Sequence, residues 1–168
     1  SLLRAYGIDK NASQLIAVHQ HNEAQAAQTV IDHLRQGRRV AYVSDAGTPG
    51  ISDPGARLVQ AVRGEGRTVV PIPGPSAVTT AVSAAGLAAD AFVFVGFLPT
   101  QGKERRARLA ALASLPAALV FYEAPHRVRA TVEELAHALG AARTLVIARE
   151  LTKAFESITR MTLGEADT

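Results

Sequence analysis

Residues Val43–Val59 read VSDAGTPGISDPGARLV and place two clusters of glycine and proline between two apolar segments. The segment before them, RRVAYVSD, is typical of a strand that ends at Asp45. After them we expect a helix that begins at Pro54, with Asp53 as its N-cap. Glycine lets a ligand approach the backbone closely, and proline holds a loop in shape before the ligand arrives. The stretch therefore indicates a binding loop at the carboxyl end of a strand.

Composition narrows the class of protein. The 168 residues, 48% of them hydrophobic, suffice for one ordinary domain or two small ones with a real core. The absence of cysteine excludes a disulfide framework and a thiolate metal site, and it fits a reducing compartment. The five histidines form no metal motif, so no metal site is predicted. A formal net charge of +3 permits a phosphate-bearing partner, and no apolar run is long enough to predict a membrane span.

Helical and strand periodicities alternate along the chain. The predicted helices cover 22–37, the segment from Pro54, 75–86, 103–114 and 128–140. The predicted strands cover 38–45, 67–74, 91–97, 117–123, 143–150 and 156–165. Repeated strand–helix–strand units imply parallel pairing with right-handed crossovers, so the predicted fold class is α/β. A small-residue helix gives way to an aromatic strand near 86–90, which predicts an N-terminal α/β domain, 1–88, and a C-terminal one, 89–168.

Four loops rich in glycine, proline and small residues follow predicted strands and converge on one edge. They are 44–55, 71–77, 122–127 and 148–153. Asp45 can accept hydrogen bonds from hydroxyl groups or an amine, and Ser76 lies at a helix start, where free N–H groups meet a ligand. Each loop alone is more typical of an ordinary turn, but the four together favour binding. The motifs of a P-loop NTPase, a dinucleotide-binding domain and a GxSxG hydrolase are absent from the sequence.

These segments also resemble a known family. VSDAGTPGISDPGARLV, PIPGPSA, FVFVGFLP, FYEAPHR and ARELTKAFE are similar in order and spacing to the tetrapyrrole methylase superfamily, and within it to the ribosomal small-subunit RNA ribose methyltransferases. The resemblance implies a two-domain fold with a mostly parallel N-terminal sheet, a mixed C-terminal sheet and S-adenosylmethionine in the cleft between the domains. It also implies 2′-O-methylation of a cytidine ribose in 16S ribosomal RNA of the small ribosomal subunit, by a cytoplasmic homodimeric enzyme without a membrane segment.

The sequence departs from the family pattern at both ends. The family's first strand, with a TPIGN-like loop and a following EDTR-like strand end, has no counterpart here, and the C-terminal portion stops after Asp167. In the family that first strand lies inside the N-terminal sheet and helps to line the cofactor cleft. The resemblance therefore implies a fragment, for which we expect weaker cofactor binding or altered packing.

The family's cofactor contacts carry over to matching positions in two N-terminal loops and two C-terminal strand ends. The predicted cofactor-binding residues are Asp45, Ala46, Gly47, Thr48, Ser76, Ala77, Tyr122 and Ala148. The resemblance implies that most of these contacts are made by backbone groups.

Methylation of a ribose hydroxyl, a weak acid, calls for a base or a nearby positive charge. The predicted catalytic residues are Glu123, Glu150 and Lys153, where either glutamate accepts the proton and the lysine stabilises the developing oxyanion. Arg127 is a further candidate for the second role or for a phosphate contact, and His126 is a further candidate near the cleft. For each of them the alternative interpretation is a structural salt bridge or a helix cap.

The segment KERRARLAAL, 103–112, places several cations at the start of a predicted helix. Positive charge there opposes the helix dipole, so another role is indicated, and contact with an RNA backbone weighs equally with a solvated charged face. The predicted RNA-binding residues are Lys103, Arg105, Arg106 and Arg127. Aromatic residues are scarce, so base stacking would depend on few side chains, such as Tyr122 or Phe97.

Two other functions remain open at this point. One is a methyltransferase of the same fold that C-methylates a tetrapyrrole or corrin ring, and the other is a non-catalytic module that binds nucleotide or RNA. The basic helix and the FYEAPHR loop favour RNA over a tetrapyrrole.

Overall fold

A computed structural model describes residues 2–19 and 21–166, so Asp167, where the family pattern breaks off, lies outside the described residues. Internal contacts divide the chain into two compact units, Ser1–Ser76 and Ala77–Thr168. The division predicted at 88/89 stays a prediction.

The elements follow one another in chain order within each unit. The first unit contains helices α1 (Leu2–Ala5), α2 (Glu23–Arg35) and α3 (Ala56–Gly64). The second contains α4 (Ala77–Ala84), β1 (Phe92–Phe97), α5 (Gly102–Ala113), β2 (Ala118–Tyr122), α6 (Val128–Leu139), β3 (Thr144–Arg149) and β4 (Ser157–Thr162). Single 3-10 turns lie at Ala12–Gln14 and Pro125–Arg127. The α/β class is confirmed, as is each helix and strand predicted from residue 75 onward.

The predicted N-terminal sheet is wrong for this chain. Residues 38–45 and 67–74 form no strand, and neither segment takes part in a ladder among the described residues. A strand needs a neighbour to bond its backbone, and the strand expected inside this sheet has no counterpart in the sequence. Pro71 and Pro73 also lack the N–H groups that a central strand must donate. The apolar side chains of Val70 and Ile72 are consequently 68% and 78% exposed.

The core of the first unit is a helix–helix interface. Ala27, Val30 and Ile31 of α2 are buried against Leu58 and Val62 of α3. The spacing of these residues puts one apolar face of each helix toward the other, as the helical periodicity predicted. The remaining apolar side chains packed on this cluster come from the loops and helices around it: Ile16, Val18, Leu34, Tyr42, Ala61 and Val69.

A carboxylate from α2 closes the N-terminus of α3. Glu23 is buried, and its Oε1 accepts hydrogen bonds from the backbone N–H groups of Gly55 (2.9 Å), Arg57 (2.9 Å) and Leu58 (3.3 Å). These are groups that a helix leaves unsatisfied at its start, and the helix dipole favours negative charge there. The prediction that Asp53 caps a helix starting at Pro54 is therefore wrong: the helix begins at Ala56, and a distant carboxylate supplies the cap.

Gly55 is required by the packing at this helix start. Its φ is +140°, and a Cβ atom there would lie 2.6 Å from Cε1 of Tyr42. The Tyr42 hydroxyl donates a hydrogen bond to the carbonyl of Pro54. Burial of the phenol raises the pKa of Tyr42, and the negative charges of Asp53 and Glu23 add to the shift.

Two separate two-stranded sheets in the second unit replace the single mixed sheet that the resemblance implied. Strands β1 and β2 pair in parallel, and β3 and β4 pair antiparallel over their full length. The parallel pair fits the predicted strand–helix–strand connection through α5. A common core joins the strands to α5 and α6 through Leu98, Leu109, Val132, Leu135 and Leu163.

The contact between Glu23 and α3 makes a stability prediction. Glu23→Ala leaves three buried or half-buried N–H groups without an acceptor, and we expect it to lower the free energy of unfolding by about 3 kcal/mol. Urea denaturation followed by circular dichroism measures this loss. Gln25→Ala, on the exposed face of the same helix, is the control and should change it by less than about 0.5 kcal/mol. Equal effects of the two substitutions would contradict the proposed cap.

Candidate functional site

The predicted cofactor loop of the first unit is held in shape by its own hydroxyl groups. Ser44 Oγ donates to the carbonyl oxygens of Ala46 (3.1 Å) and Gly47 (2.9 Å). Thr48 Oγ1 donates to the carbonyl of Pro75 at 3.0 Å, which ties this loop to the loop that ends at Ser76. The structure thus brings together two loops that the sequence analysis assigned to one site.

Asp45 is available for a ligand. Its side chain is exposed, and no other described residue forms an ion pair or hydrogen bond with its carboxylate. Ala46 and Gly47 are exposed beside it, and Gly47 has φ +72°, a conformation that glycine adopts without strain. Of the remaining predicted contacts, Ser76 ends the first unit and Ala77 opens α4 of the second.

Tyr122 and Ala148 lie within the last two residues of their strands in the second unit. Tyr122 is the last residue of β2, and its ring meets those of Phe94 (4.9 Å between centroids) and Phe97 (5.7 Å) edge to face. Ala148 is half-buried in β3, where it pairs with Ile158.

Glu123 has both carboxylate oxygens engaged. Its Oε1 accepts from the N–H of Ala124 (2.8 Å) and lies 3.3 Å from Nε of Arg127, and its Oε2 accepts from Oγ1 of the buried Thr131 (2.7 Å). Arg127 in turn donates from Nη2 to the carbonyl of Leu98 at 3.1 Å. A predicted base and a predicted RNA-binding cation therefore pair with each other and fix the turn before α6.

Glu150 and Lys153 lie together in the connection between β3 and β4. Lys153 Nζ is 3.2 Å from Glu150 Oε2. The backbone here is strained, since Glu150 and Thr152 have φ values of +53° and +66° and neither is glycine. Such conformations cost on the order of 1–3 kcal/mol and cluster at functional sites. The N–H of Thr152 donates to Glu156 Oε2 at 2.6 Å, which helps to hold the loop.

The basic helix α5 exposes some of its cations to solvent, and one cation pairs with a carboxylate of α6. Arg105 Nε donates to Glu134 Oε2 at 2.6 Å, and its Nη2 donates to the other oxygen, so that α5 and α6 are clamped together. Hydrogen bonding to Arg105 lowers the pKa of Glu134 and raises that of Arg105. Lys103, Arg106 and Arg108 are exposed and form no ion pair within the described part of the chain.

A protein-family model matches the sequence that contains these loops and strands. The model described as Tetrapyrrole (Corrin/Porphyrin) Methylases matches residues 5–167. The chain belongs to the tetrapyrrole methylase family. The resemblance to the family is thereby confirmed, and the more specific likeness to ribosomal RNA methyltransferases is confirmed by the relatives described next.

Curated members of this family are similar along nearly the whole chain. "Ribosomal RNA small subunit methyltransferase I" of Escherichia coli O157:H7 is 48% identical over 164 residues, which cover 98% of this chain and 56% of that protein. The protein of the same name from Vibrio cholerae is 49% identical over 154 residues, which cover 92% of this chain and 54% of that protein. The chain therefore spans little more than half the length of these relatives.

A solved structure supports the tetrapyrrole methylase fold. The methyltransferase CobJ superimposes with a TM-score of 0.66 at 25% sequence identity, over 86% of this chain and 65% of its own. No helix among residues 2–19 and 21–166 combines the length and apolar character needed to cross a bilayer. Those residues also contain no group of three histidine, aspartate or glutamate side chains arranged to hold a metal ion.

Sequence reasoning missed the residues that hold the predicted site in place. Thr131 and Glu134 are separated from their partners Glu123 and Arg105 by 8 and 29 residues, so no local motif marks them. The inward helical stripe of α6 was a partial signal, because Thr131 lies beside Val132 and Leu135 on that helix and is buried with them.

The clamp between Arg105 and Glu134 predicts a pH dependence. Since the pKa of Glu134 is lowered in the folded chain, its contribution is complete above the unfolded pKa of about 4.3 and is lost as pH falls through the folded value. We expect Glu134→Gln to lower the free energy of unfolding by on the order of 1 kcal/mol at pH 7, with the difference vanishing in strong acid. Urea titrations at a series of pH values measure it.

Glu133→Gln is the matched control, because Glu133 forms only an exposed ion pair with Arg129 at 3.4 Å. Its expected effect is below about 0.5 kcal/mol at any pH. A Glu134 effect that persists unchanged in strong acid would contradict the role of the charge.

Proposed function

We propose that the protein is an S-adenosylmethionine-dependent methyltransferase that modifies 16S ribosomal RNA at the 2′-hydroxyl of a cytidine. The observation that carries this proposal is the 48% identity over 98% of the chain to a protein named ribosomal RNA small subunit methyltransferase I. The choice of a cytidine ribose follows from the motif resemblance. With it we propose a homodimer in the bacterial cytoplasm, which acts on the small ribosomal subunit.

The residues of the first unit fit the nucleoside part of such a methyl donor. Asp45 offers an unpaired carboxylate that can accept hydrogen bonds from ribose hydroxyls, and exposed Ala46 and Gly47 leave backbone groups within reach. The hydrogen bond from Thr48 to Pro75 restrains this loop, and a restrained loop loses less entropy on binding. We propose that Ser76, Ala77, Tyr122 and Ala148 complete the set of contacts. When bound, the sulfonium cofactor supplies an electrophilic methyl group.

The chain's own contribution to the reaction is positioning and proton transfer. Of the two proposed bases, Glu150 is the more available, because Glu123 already bonds Thr131, Ala124 and Arg127. Glu150 accepts the proton of the ribose hydroxyl. Lys153, 3.2 Å away, stabilises the oxygen as negative charge develops on it.

RNA binding falls to the exposed cations of α5. Lys103 and Arg106 have no ion-pair partner among the described residues, so they can contact phosphate without breaking an internal bond. Arg105 and Arg127 are held by Glu134 and Glu123. Their charges are therefore largely neutralised by these glutamates. Either arginine can contact RNA directly only if its ion pair breaks.

A ring-methylating enzyme is the second candidate. The family description and the likeness to CobJ, a methyltransferase with a TM-score of 0.66, favour it. Purified small ribosomal subunits and a tetrapyrrole, each supplied with radiolabelled methyl donor, separate the two reactions by where the label appears. If the cofactor does not bind to the complete gene product but RNA does, the protein is instead a non-catalytic RNA-binding module.

The cofactor site predicts a selective binding defect. Asp45→Ala removes a carboxylate that bonds the donor, so we expect the affinity for S-adenosylhomocysteine to fall at least tenfold. Isothermal titration calorimetry on the complete gene product measures it. Asp90→Ala removes another exposed carboxylate, outside the proposed site, and should leave the affinity unchanged. The assignment of Asp45 fails if both variants bind like the parent.

The RNA site predicts the converse defect. Lys103→Glu with Arg106→Glu should weaken binding to the small subunit about equally for any sequence, and should flatten the dependence of affinity on salt, since fewer counterions are released. The affinity for S-adenosylhomocysteine should not change. Arg63→Glu with Arg67→Glu gives the same change in net charge on the first unit and is the control. If the control variant lost the same affinity for the small subunit, the effect would come from overall net charge and not from a site on α5.

A further inference from the structure

A bulge in β1 turns one aromatic ring away from the core. Along a regular strand Val95 and Phe97 would share a face, and Leu98 would point the other way. In the structure Val95 and Leu98 both pack on the core, while Phe97 is 56% exposed. The register with β2 shifts between Phe94 and Gly96, which is where the bulge lies. Bulges of this kind re-aim side chains and are frequent beside active sites.

The residue at the bulge suits its backbone conformation. Gly96 has φ +77°, which glycine adopts freely and a residue with a side chain adopts only with strain. A Cβ atom at Gly96 would meet nothing within 4 Å, so the need for glycine here comes from the backbone and not from crowding. The chain thus keeps a special backbone conformation whose result is an apolar ring in water.

Neighbouring rings hold the exposed ring in place. Phe97 meets Tyr122 at 5.7 Å between centroids with the planes tilted by 62°, and Tyr122 meets Phe94 at 4.9 Å and 66°. These are favourable edge-to-face contacts. The buried side chain of Leu98 anchors the adjacent residue. The ring is therefore presented on a fixed support, which lowers the entropic cost of stacking a planar ligand on it.

Cations lie close to this ring along the chain. Arg127 donates to the carbonyl of Leu98, the residue after Phe97, at 3.1 Å. The helix α5 begins at Gly102, and its exposed Lys103 and Arg106 have no ion-pair partner in the described residues. An exposed aromatic ring followed by free cations is the combination that binds single-stranded nucleic acid, since bases stack on the ring and phosphates meet the cations.

We propose that Phe97, supported by Tyr122, is the platform on which an unpaired base of the substrate RNA stacks. This inference rests on the proposed function and adds to it the side chain that receives a base. The adenine of the methyl donor has the same stacking chemistry, so the experiment below separates the two sources. RNA is favoured because the free cations of α5 follow directly in the chain.

The test uses Phe97→Ala, Phe97→Leu and Phe97→Trp in the complete gene product, with Phe155→Ala as the control. Phe155 is 82% exposed in the same unit, against 56% for Phe97, so its loss removes a phenyl ring that is even more accessible. Binding is measured by fluorescence anisotropy with a labelled single-stranded oligoribonucleotide of mixed sequence, by calorimetry with S-adenosylhomocysteine, and by thermal unfolding.

We expect the alanine and leucine variants to bind the oligoribonucleotide about tenfold more weakly, because leucine is apolar but has no flat ring. The tryptophan variant should bind at least as tightly as the parent. The affinity for S-adenosylhomocysteine and the unfolding temperature should stay within error in all variants, and Phe155→Ala should behave like the parent.

Other results would overturn the platform. A leucine variant that binds RNA like the parent would show that an apolar side chain suffices and a flat ring is not needed. An equal loss of RNA affinity in Phe155→Ala would show that any exposed phenyl ring has the same effect. Loss of affinity for S-adenosylhomocysteine instead of RNA would assign the ring to the cofactor, and a marked fall in unfolding temperature would assign it to packing. A parent that binds no RNA overturns it as well.

Failure of the proposed function gives a different pattern. If the parent binds the oligoribonucleotide through Phe97 but does not methylate small subunits, the platform stands and the proposed reaction fails. If the Phe97 variants bind and methylate RNA like the parent, the reaction stands and the platform fails.

Discussion

The first unit depends on where the buried carboxylate of Glu23 finds its hydrogen-bond donors. Buried charge is costly unless it is paired, and the open N-terminus of α3 supplies three N–H groups to a single oxygen. This contact aligns α2 with α3, so that their apolar faces meet. It also fixes Gly55, where the glycine- and proline-rich loop ends. Since Thr48 ties the other end of that loop to Pro75, the loop is restrained on both sides.

The second unit uses charge in the same way. Glu123 organises the turn before α6 through Thr131 and Arg127, and Glu134 clamps α6 to α5 through Arg105. Several charged groups that the sequence analysis assigned to catalysis or RNA binding thus form hydrogen bonds and ion pairs within the fold. A side chain that bonds its neighbours in this way is held in a fixed position, which is the condition that the proposed site would need.

The sequence was informative wherever local periodicity and tertiary packing agreed. The helices α5 and α6 and the strands β1 to β4 follow from patterns within their own residues. The strand expected at 38–45 failed because a strand exists only with a neighbour, and apolar alternation cannot show whether one is present. Asp53 failed as a cap because Glu23, 32 residues before Gly55, supplies the acceptor instead. Of the predicted site, the meeting of the loops at Thr48 and Pro75 was predictable, but the pairing of Arg105 was not.

Charged side chains without an internal partner and an exposed aromatic ring point to function more directly than side chains that bond within the fold. Within the described residues, Asp45, Lys103 and Arg106 are charged and form no ion pair, and Phe97 is apolar and exposed on a bulge. The three charged groups gain no ion pair from the described part of the fold, and more than half of the Phe97 side chain stays in contact with water. Groups that the fold does not use internally can bind a ligand without breaking an existing contact. The chemistry that we propose for these groups fits that observation: in the first unit the Asp45 carboxylate can accept hydrogen bonds from hydroxyl groups, and in the second unit the cations can meet phosphates and the Phe97 ring can stack on a base.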